Sequence, residues 1–184
     1  MIYVFLANGF EEIEALTTVD ILRRAGIQVK TVGVQGKTVA GCHGISVAAD
    51  LEDKEVQNED FDGIVMPGGL PGVTGLQASD VVKSAVLDCM QHDKYMAAIC
   101  AGPVVLGQLG ALAGKKAVCY PGFEQELKGA IPWEGPVCVD QKIITAKGAG
   151  VTILFALKIV EQILNKETAR KIRKSIQCIE EISI

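Results

Sequence analysis

The sequence predicts an α/β fold in which a mostly parallel sheet is covered by helices on both faces. Three observations lead there. The runs Ile2–Ala7, Phe61–Met66 and Tyr95–Ile99 are continuously apolar, as strands buried on both sides must be. Stretches with helical spacing separate them, so sequential strands are joined by crossovers rather than hairpins. Glycine or proline follows closely on these runs, at Gly9, Pro67-Gly68-Gly69 and Gly102-Pro103. With 184 residues, the chain is read as a single domain over 1–184, large enough to build a core without covalent staples.

Ile2–Ala7 reads as the first strand. A helix from Glu11 to about Ala25 follows, opened by Glu11, Glu12 and Glu14, whose charges suit the positive end of the helix dipole, and ended by Gly26. Gln28–Val34 is a second strand. The glycine-rich segment from Gly33 to Asp50 is expected to hold short hairpin strands around Lys37–Val39 and Ile45–Ala48. Phe61–Met66 is a strand, and Ser79 is placed to cap a helix over Asp80–Gln91, where Val82, Ala85 and Val86 recur at helical spacing. Tyr95–Ile99 is the next strand, and a helix over Ala101–Leu109 tolerates Pro103 in its first turn. Short strands are expected at Lys116–Cys119, Val137–Val139 and Lys142–Thr145, then helices at Gly150–Leu164 and Lys166–Gln177.

Composition narrows the functional classes. Apolar residues make up 49% and charged residues 22%, which excludes global disorder. A net charge of −4 argues against nucleic acid or an anionic membrane as partner. The uncharged stretch Tyr95–Gly114 is long enough to span a membrane, but its glycines and Pro103 make a strand–turn–helix the better reading. Six cysteines occur without a Cys-x-x-Cys pair, and His43 and His92 are the two histidines, so no metal-ligand spacing is written and no metal is expected. The start of the chain has neither a basic segment nor a cleavage motif, and a reducing cytoplasm is expected.

In parallel sheets, sites form beyond the carboxyl ends of the strands. That rule singles out Ala7–Glu14, Met66–Gly72 and Ile99–Pro103. Within the last, Cys100 falls on a sharp strand-to-helix turn between the small residues Ala98 and Gly102, as a nucleophile elbow requires. Amides of the following helix are expected to favour its thiolate and lower its pKa. The plain alternative is a packed core cysteine. Glu14 shares a helix stripe with Thr18, Ile21 and Ala25, so it is expected to be half-buried, with a raised pKa suited to proton transfer; helix-dipole compensation is the simpler role. Gly68 and Gly69 either serve a turn or aim amides at a developing oxyanion. The segment Gly68–Gly75 matches no phosphate-binding motif. His43 lies in a loop beside Cys42, and His92 suits a helix C-terminus.

Ala97-Ala98-Ile99-Cys100-Ala101-Gly102-Pro103, taken with Leu6-Ala7-Asn8-Gly9-Phe10-Glu11-Glu12-Ile13-Glu14 and Met66-Pro67-Gly68-Gly69, resembles the ThiJ/PfpI superfamily in the branch of the Parkinson-associated protein deglycase. The likeness runs from Ile2 to about Gln177. It implies a flavodoxin-like three-layer sandwich, a homodimer, and chemistry at the elbow cysteine without metal or organic cofactor. It assigns the nucleophile to Cys100, its carboxyl partner to Glu14, and oxyanion amides to Gly69 and Ala101. His43 stands in the loop where the branch often carries Arg, and Tyr120 where it often has His before a proline. Ala101 occupies the position of a His in the intracellular-protease branch, which argues against peptidase activity. Nothing resembling a phosphate loop supports the thiazole-biosynthesis label that some relatives carry. The implied activity is glyoxalase or deglycase action on a small aldehyde substrate such as methylglyoxal, in oxidative or carbonyl stress. The alternative is a redox sensor or chaperone-like protein acting through oxidation of Cys100.

Overall fold

The computed structural model describes residues 1–57 and 61–178. Strands β1 (Ile2–Leu6), β2 (Val29–Gly33), β5 (Leu51–Glu52), β6 (Gly63–Met66), β7 (Tyr95–Ile99), β10 (Val137–Asp140) and β11 (Ile143–Ala146) form one sheet in the order β10-β11-β7-β6-β1-β2-β5. Every pairing is parallel except β10 with β11, where a tight turn replaces a crossover. Two small ladders lie outside it. An antiparallel hairpin joins β3 (Thr38–Ala40) to β4 (Ser46–Ala48), and β8 (Lys116–Ala117) runs parallel to β9 (Ile131–Pro132).

Helices α1 (Glu12–Arg24), α2 (Gly72–Ala78), α3 (Asp80–Gln91), α4 (Pro103–Gln108), α5 (Thr152–Ile163) and α6 (Lys166–Ser175) complete the chain. Alternation along β1 assigns them to two layers, because successive side chains leave a strand on opposite faces. Tyr3 and Phe5 join Val73 and Leu76 of α2, Val82 and Val86 of α3, and Leu106 of α4. Ile2, Val4 and Leu6 join Val19 and Leu22 of α1 with Phe155 and Ile159 of α5. Truncating a side chain as enclosed as Phe155 to alanine costs about 3–5 kcal/mol.

Several expectations shift in physical detail. The Ser79 cap forms as expected, its hydroxyl accepting from Val82 N. The segment Lys116–Cys119 contributes two strand residues, and they pair with β9 outside the main sheet. The elbow helix begins at Pro103 instead of Ala101, because Gly102 N turns back to Ile99 O at 2.8 Å. Helix α2 falls in the glycine-rich stretch that carried no helical pattern. Val73 and Leu76 anchor it, and its glycines permit close approach: a Cβ on Gly72 would lie 2.7 Å from Phe10 N. No helix among the described residues is long and apolar enough to cross a membrane.

Candidate active site

The carboxyl ends of β1, β6 and β7 bring the three predicted loops together. Cys100 closes β7 in the left-handed region, with φ 63°, a conformation that costs a side-chain-bearing residue about 1–2 kcal/mol. Two backbone bonds hold it there: Cys100 N donates to Ala146 O at 2.9 Å, and Tyr120 N donates to Cys100 O at 2.8 Å. Glycine is required at 102, since any Cβ there would lie 2.5 Å from Met66 O.

Glu14 sits in the first turn of α1, facing the sheet. It is 1% exposed rather than half-buried. Its Oε2 accepts from Gly68 N at 2.7 Å, and the carboxyl lies in hydrogen-bonding reach of the Cys100 thiol. Its Oε1 is buried and has no hydrogen-bond partner of ordinary geometry. Gly68 is the spacer between the two reactive groups. A Cβ at 68 would stand 2.6 Å from Cys100 Cβ and 2.9 Å from Glu14 Oε2. The amides of Ala101 and Gly69 reach the sulfur from the other side.

Burial pushes Glu14 up to about 7, against the opposing pull of the Gly68 amide and the Cys100 hydrogen bond. The expected lowering of the Cys100 pKa is not found. Burial first, and then the charge of Glu14, push the thiol up to about 12. The two amides resist but do not prevail. The physical reason is proximity: two acidic groups sharing one buried site cannot both ionise near neutrality. At least one proton therefore stays on the pair at neutral pH.

The remaining candidates fall around this pair. Tyr120 is half exposed, and its ring lies beside Gly148: a Cβ at 148 would be 3.3 Å from Tyr120 Cδ2 and 4.0 Å from Cys100 Sγ. Gly148 thus lines the sulfur, at the Lys147-Gly148-Ala149-Gly150 entry to the late helix that forms part of the family resemblance. His43 is engaged elsewhere. Its Nδ1 lies 3.0 Å from Glu12 Oε2, 3.2 Å from Cys42 Sγ and 3.5 Å from Glu11 Oε2. Glu12 is not a solvated dipole partner, as its position in the first turn suggested. Burial opposes its charge, but the His43 side chain and the amides of His43 and Ile45 win and hold it down at about 2. His92 follows the last turn of α3, and its Nδ1 lies 2.8 Å from Asp88 Oδ1.

Residues 1–162 match the DJ-1/PfpI family. This chain belongs to the DJ-1/PfpI family. Protein DJ-1 homolog B of Arabidopsis thaliana is 39% identical over 167 residues, covering 89% of this chain and 38% of that protein. The chain spans well under half the length of the Arabidopsis relatives it matches. The glutathione-independent glyoxalase DJR-1.2 of Caenorhabditis elegans is 33% identical, covering 90% of this chain and 89% of that one. Among solved structures, oxidized Toxoplasma gondii DJ-1 superposes with a TM-score of 0.92 at 39% identity, covering 96% of this chain and 97% of that one. The DJ-1/PfpI neighbours share the flavodoxin-like sandwich described above.

Proposed function

We propose that this DJ-1/PfpI protein is a cofactor-free cysteine enzyme that converts small 2-oxoaldehydes such as methylglyoxal to hydroxy acids. The observation that carries this reading is the buried Glu14 carboxyl, poised near neutrality against the Cys100 sulfur. The relative named a glutathione-independent glyoxalase supports it. A nucleophile and a proton carrier are what the reaction needs, and a carboxyl near pKa 7 moves protons well in both directions.

In this mechanism Cys100 Sγ adds to the aldehyde carbon. Negative charge develops on the carbonyl oxygen, where the Gly69 and Ala101 amides receive it, and the thiol proton then neutralises it to the hydroxyl of a hemithioacetal. Glu14, ionised, takes the C1 hydrogen as a proton, and the electron pair left behind forms an enediolate whose charge sits on the C2 oxygen. Glu14 returns that proton to C2 while the hydroxyl proton on the C1 oxygen passes to the C2 oxygen, giving a thioester of the 2-hydroxy acid. Water then cleaves the C–S bond and restores the thiol. One aldehyde and one water yield one hydroxy acid, with no external redox partner. Deglycation would be the same sequence begun from a protein-bound adduct, with the bond between the aldehyde carbon and the protein amine or thiol breaking, and that amine or thiol leaving with a proton, as Cys100 Sγ takes the carbon.

A second reading is redox sensing, which the oxidized state named for the Toxoplasma structure favours. Two peroxide molecules would convert the Cys100 thiol to the sulfinic acid and release two waters, with the Glu14 carboxyl hydrogen-bonded to the new oxygens. A second copy of this chain is the proposed partner, since the exposed Ile13, Ile153 and Leu154 share one groove. The deciding experiment is lactate release from methylglyoxal by protein free of glutathione. Wild type should turn over and Cys100→Ser should not. If wild type gives no lactate but gains two oxygen atoms at Cys100 under mild peroxide, the sensor reading replaces the enzyme. Light scattering that gives a monomer mass would remove the proposed partner.

A further inference from the structure

The turn between β3 and β4 lies against the start of α1, and four ligand-type side chains meet there. Cys42 and His43 come from the turn, Glu11 and Glu12 from the helix start. One donor atom from each lies within 4.8 Å of all the others. Cys42 Sγ is 3.1 Å from Glu11 Oε2, 3.4 Å from Glu12 Oε2 and 3.2 Å from His43 Nδ1. His43 Nδ1 is 3.0 Å from Glu12 Oε2 and 3.5 Å from Glu11 Oε2. The edges of a tetrahedron of sulfur, nitrogen and oxygen around zinc are roughly 3.3–3.6 Å, from bond lengths of about 2.0–2.3 Å. Five of its six edges are therefore already near that length.

Two independent features point to a cation. The first is charge. Among the described residues, the ion-pair partner of both carboxylates is His43, so at most one positive charge faces two carboxylates and a thiol. The second is proton supply. Among the described residues, the side-chain donors available to the cluster are the Cys42 thiol and, in the tautomer that carries it, His43 Nδ1–H, each able to donate once, while sulfur, imidazole and two carboxylates all converge. Glu12 is also held rigidly. Its Oε1 accepts from the His43 and Ile45 amides, and Gly41 packs so close that a Cβ there would be 2.2 Å away, which leaves Oε2 free to face the cluster.

We infer that Glu11, Glu12, Cys42 and His43 form a Zn²⁺ site that clamps the β3–β4 turn to the start of α1. A borderline-soft ion suits one sulfur, one nitrogen and two oxygens better than Mg²⁺ or Ca²⁺ does. Coordination displaces the Cys42 proton, and the Nδ1 proton when the imidazole carries it, to the buffer. The ligands lie about thirty residues apart in two adjacent pairs, so no ligand spacing could announce them.

The test titrates reduced, metal-free, full-length protein with Co²⁺ and then Zn²⁺. One equivalent of Co²⁺ should give a thiolate-to-cobalt band in the near ultraviolet, which Zn²⁺ abolishes. The band should persist in Cys100→Ser and vanish in Cys42→Ser. His43→Ala, an exposed change that keeps every thiol, should weaken Co²⁺ at least tenfold. The thermal midpoint should rise with Zn²⁺ in wild type and not in Cys42→Ser. A band that survives Cys42→Ser, or disappears in Cys100→Ser, would put the metal elsewhere and overturn the site. So would the absence of stoichiometric binding, or undiminished Co²⁺ affinity in His43→Ala should Cys42→Ser fail to fold.

Discussion

The Glu14 carboxyl and the Cys100 side chain face one another across the bare Cα of Gly68, whose amide holds Glu14 Oε2 at 2.7 Å. One glycine therefore sets both the separation of the two acidic groups and the orientation of one of them. The chemistry proposed here depends on that arrangement.

Glu14→Gln should separate sulfur ionisation from turnover. The amide keeps a donor near the sulfur but removes the negative charge that, after burial, does most to raise the thiol. The Cys100 titration, followed by thiolate absorbance, should move down by about one unit or more, in line with removal of a neighbouring like charge. Turnover of methylglyoxal should fall about 10²-fold or more, as expected for loss of a general acid–base. An unmoved titration with intact turnover would remove Glu14 from the mechanism.

Gly68→Ala should be disproportionately harmful. The added methyl meets Cys100 Cβ at 2.6 Å and the Ala101 amide nitrogen at 3.0 Å, where backbone cannot yield cheaply. A loss of about 1–3 kcal/mol in urea unfolding is expected, together with loss of activity. Gly150→Ala is the matched control, because nothing lies within 4 Å of its Cβ. Equal behaviour of the two variants would refute the spacer role.

Stability should fall as pH rises through the range in which Glu14 ionises. Its value is about 7 when folded and near 4.5 otherwise. Between those values the native state binds the extra proton, so linkage makes unfolding easier as pH increases from about 4.5 to about 7. The difference in unfolding free energy between wild type and Glu14→Gln should shrink by about 1–3 kcal/mol from pH 5 to pH 8. A flat difference would mean that Glu14 is not protonated preferentially in the folded protein.

Glu12 has the opposite sign. Its folded value, about 2, lies below the unfolded one, so its contribution is present above about 4.5 and is lost as pH falls toward 2. Glu12→Gln should loosen the β3–β4 turn, with faster hydrogen exchange at the His43 and Ile45 amides and a stability loss of about 1–3 kcal/mol at neutral pH. Unchanged exchange at those two amides would show that the carboxylate does not hold the turn.

What the sequence reveals here is whatever is written locally. The β1 run, the Ser79 cap of α3 and the Cys100 elbow depend on neighbours a few positions away, and all are present. Helix α2 escapes notice because Gly72 and Gly75 are poor helix formers, required where Gly72 meets the backbone of Gly9 and Phe10 and Gly75 meets the Ala7 methyl. The two-residue ladder β8–β9 is too short for any periodicity. The direction of the Cys100 pKa is likewise invisible. Amides near an elbow can be inferred from sequence, but burial and the charge of a carboxyl 86 positions away cannot. His43 and Glu12 meet for the same reason of topology, across 31 positions.

Cys100 occupies a backbone conformation that glycine would adopt freely. Cys100→Gly should therefore be more stable than Cys100→Ala, which keeps the misfit without the sulfur. Selection for stability alone would drift this position toward glycine and silence the protein. A cysteine that persists at such a position marks a continuing demand for its sulfur, and glycine at the same place in a related chain would mark a copy that has given up this chemistry.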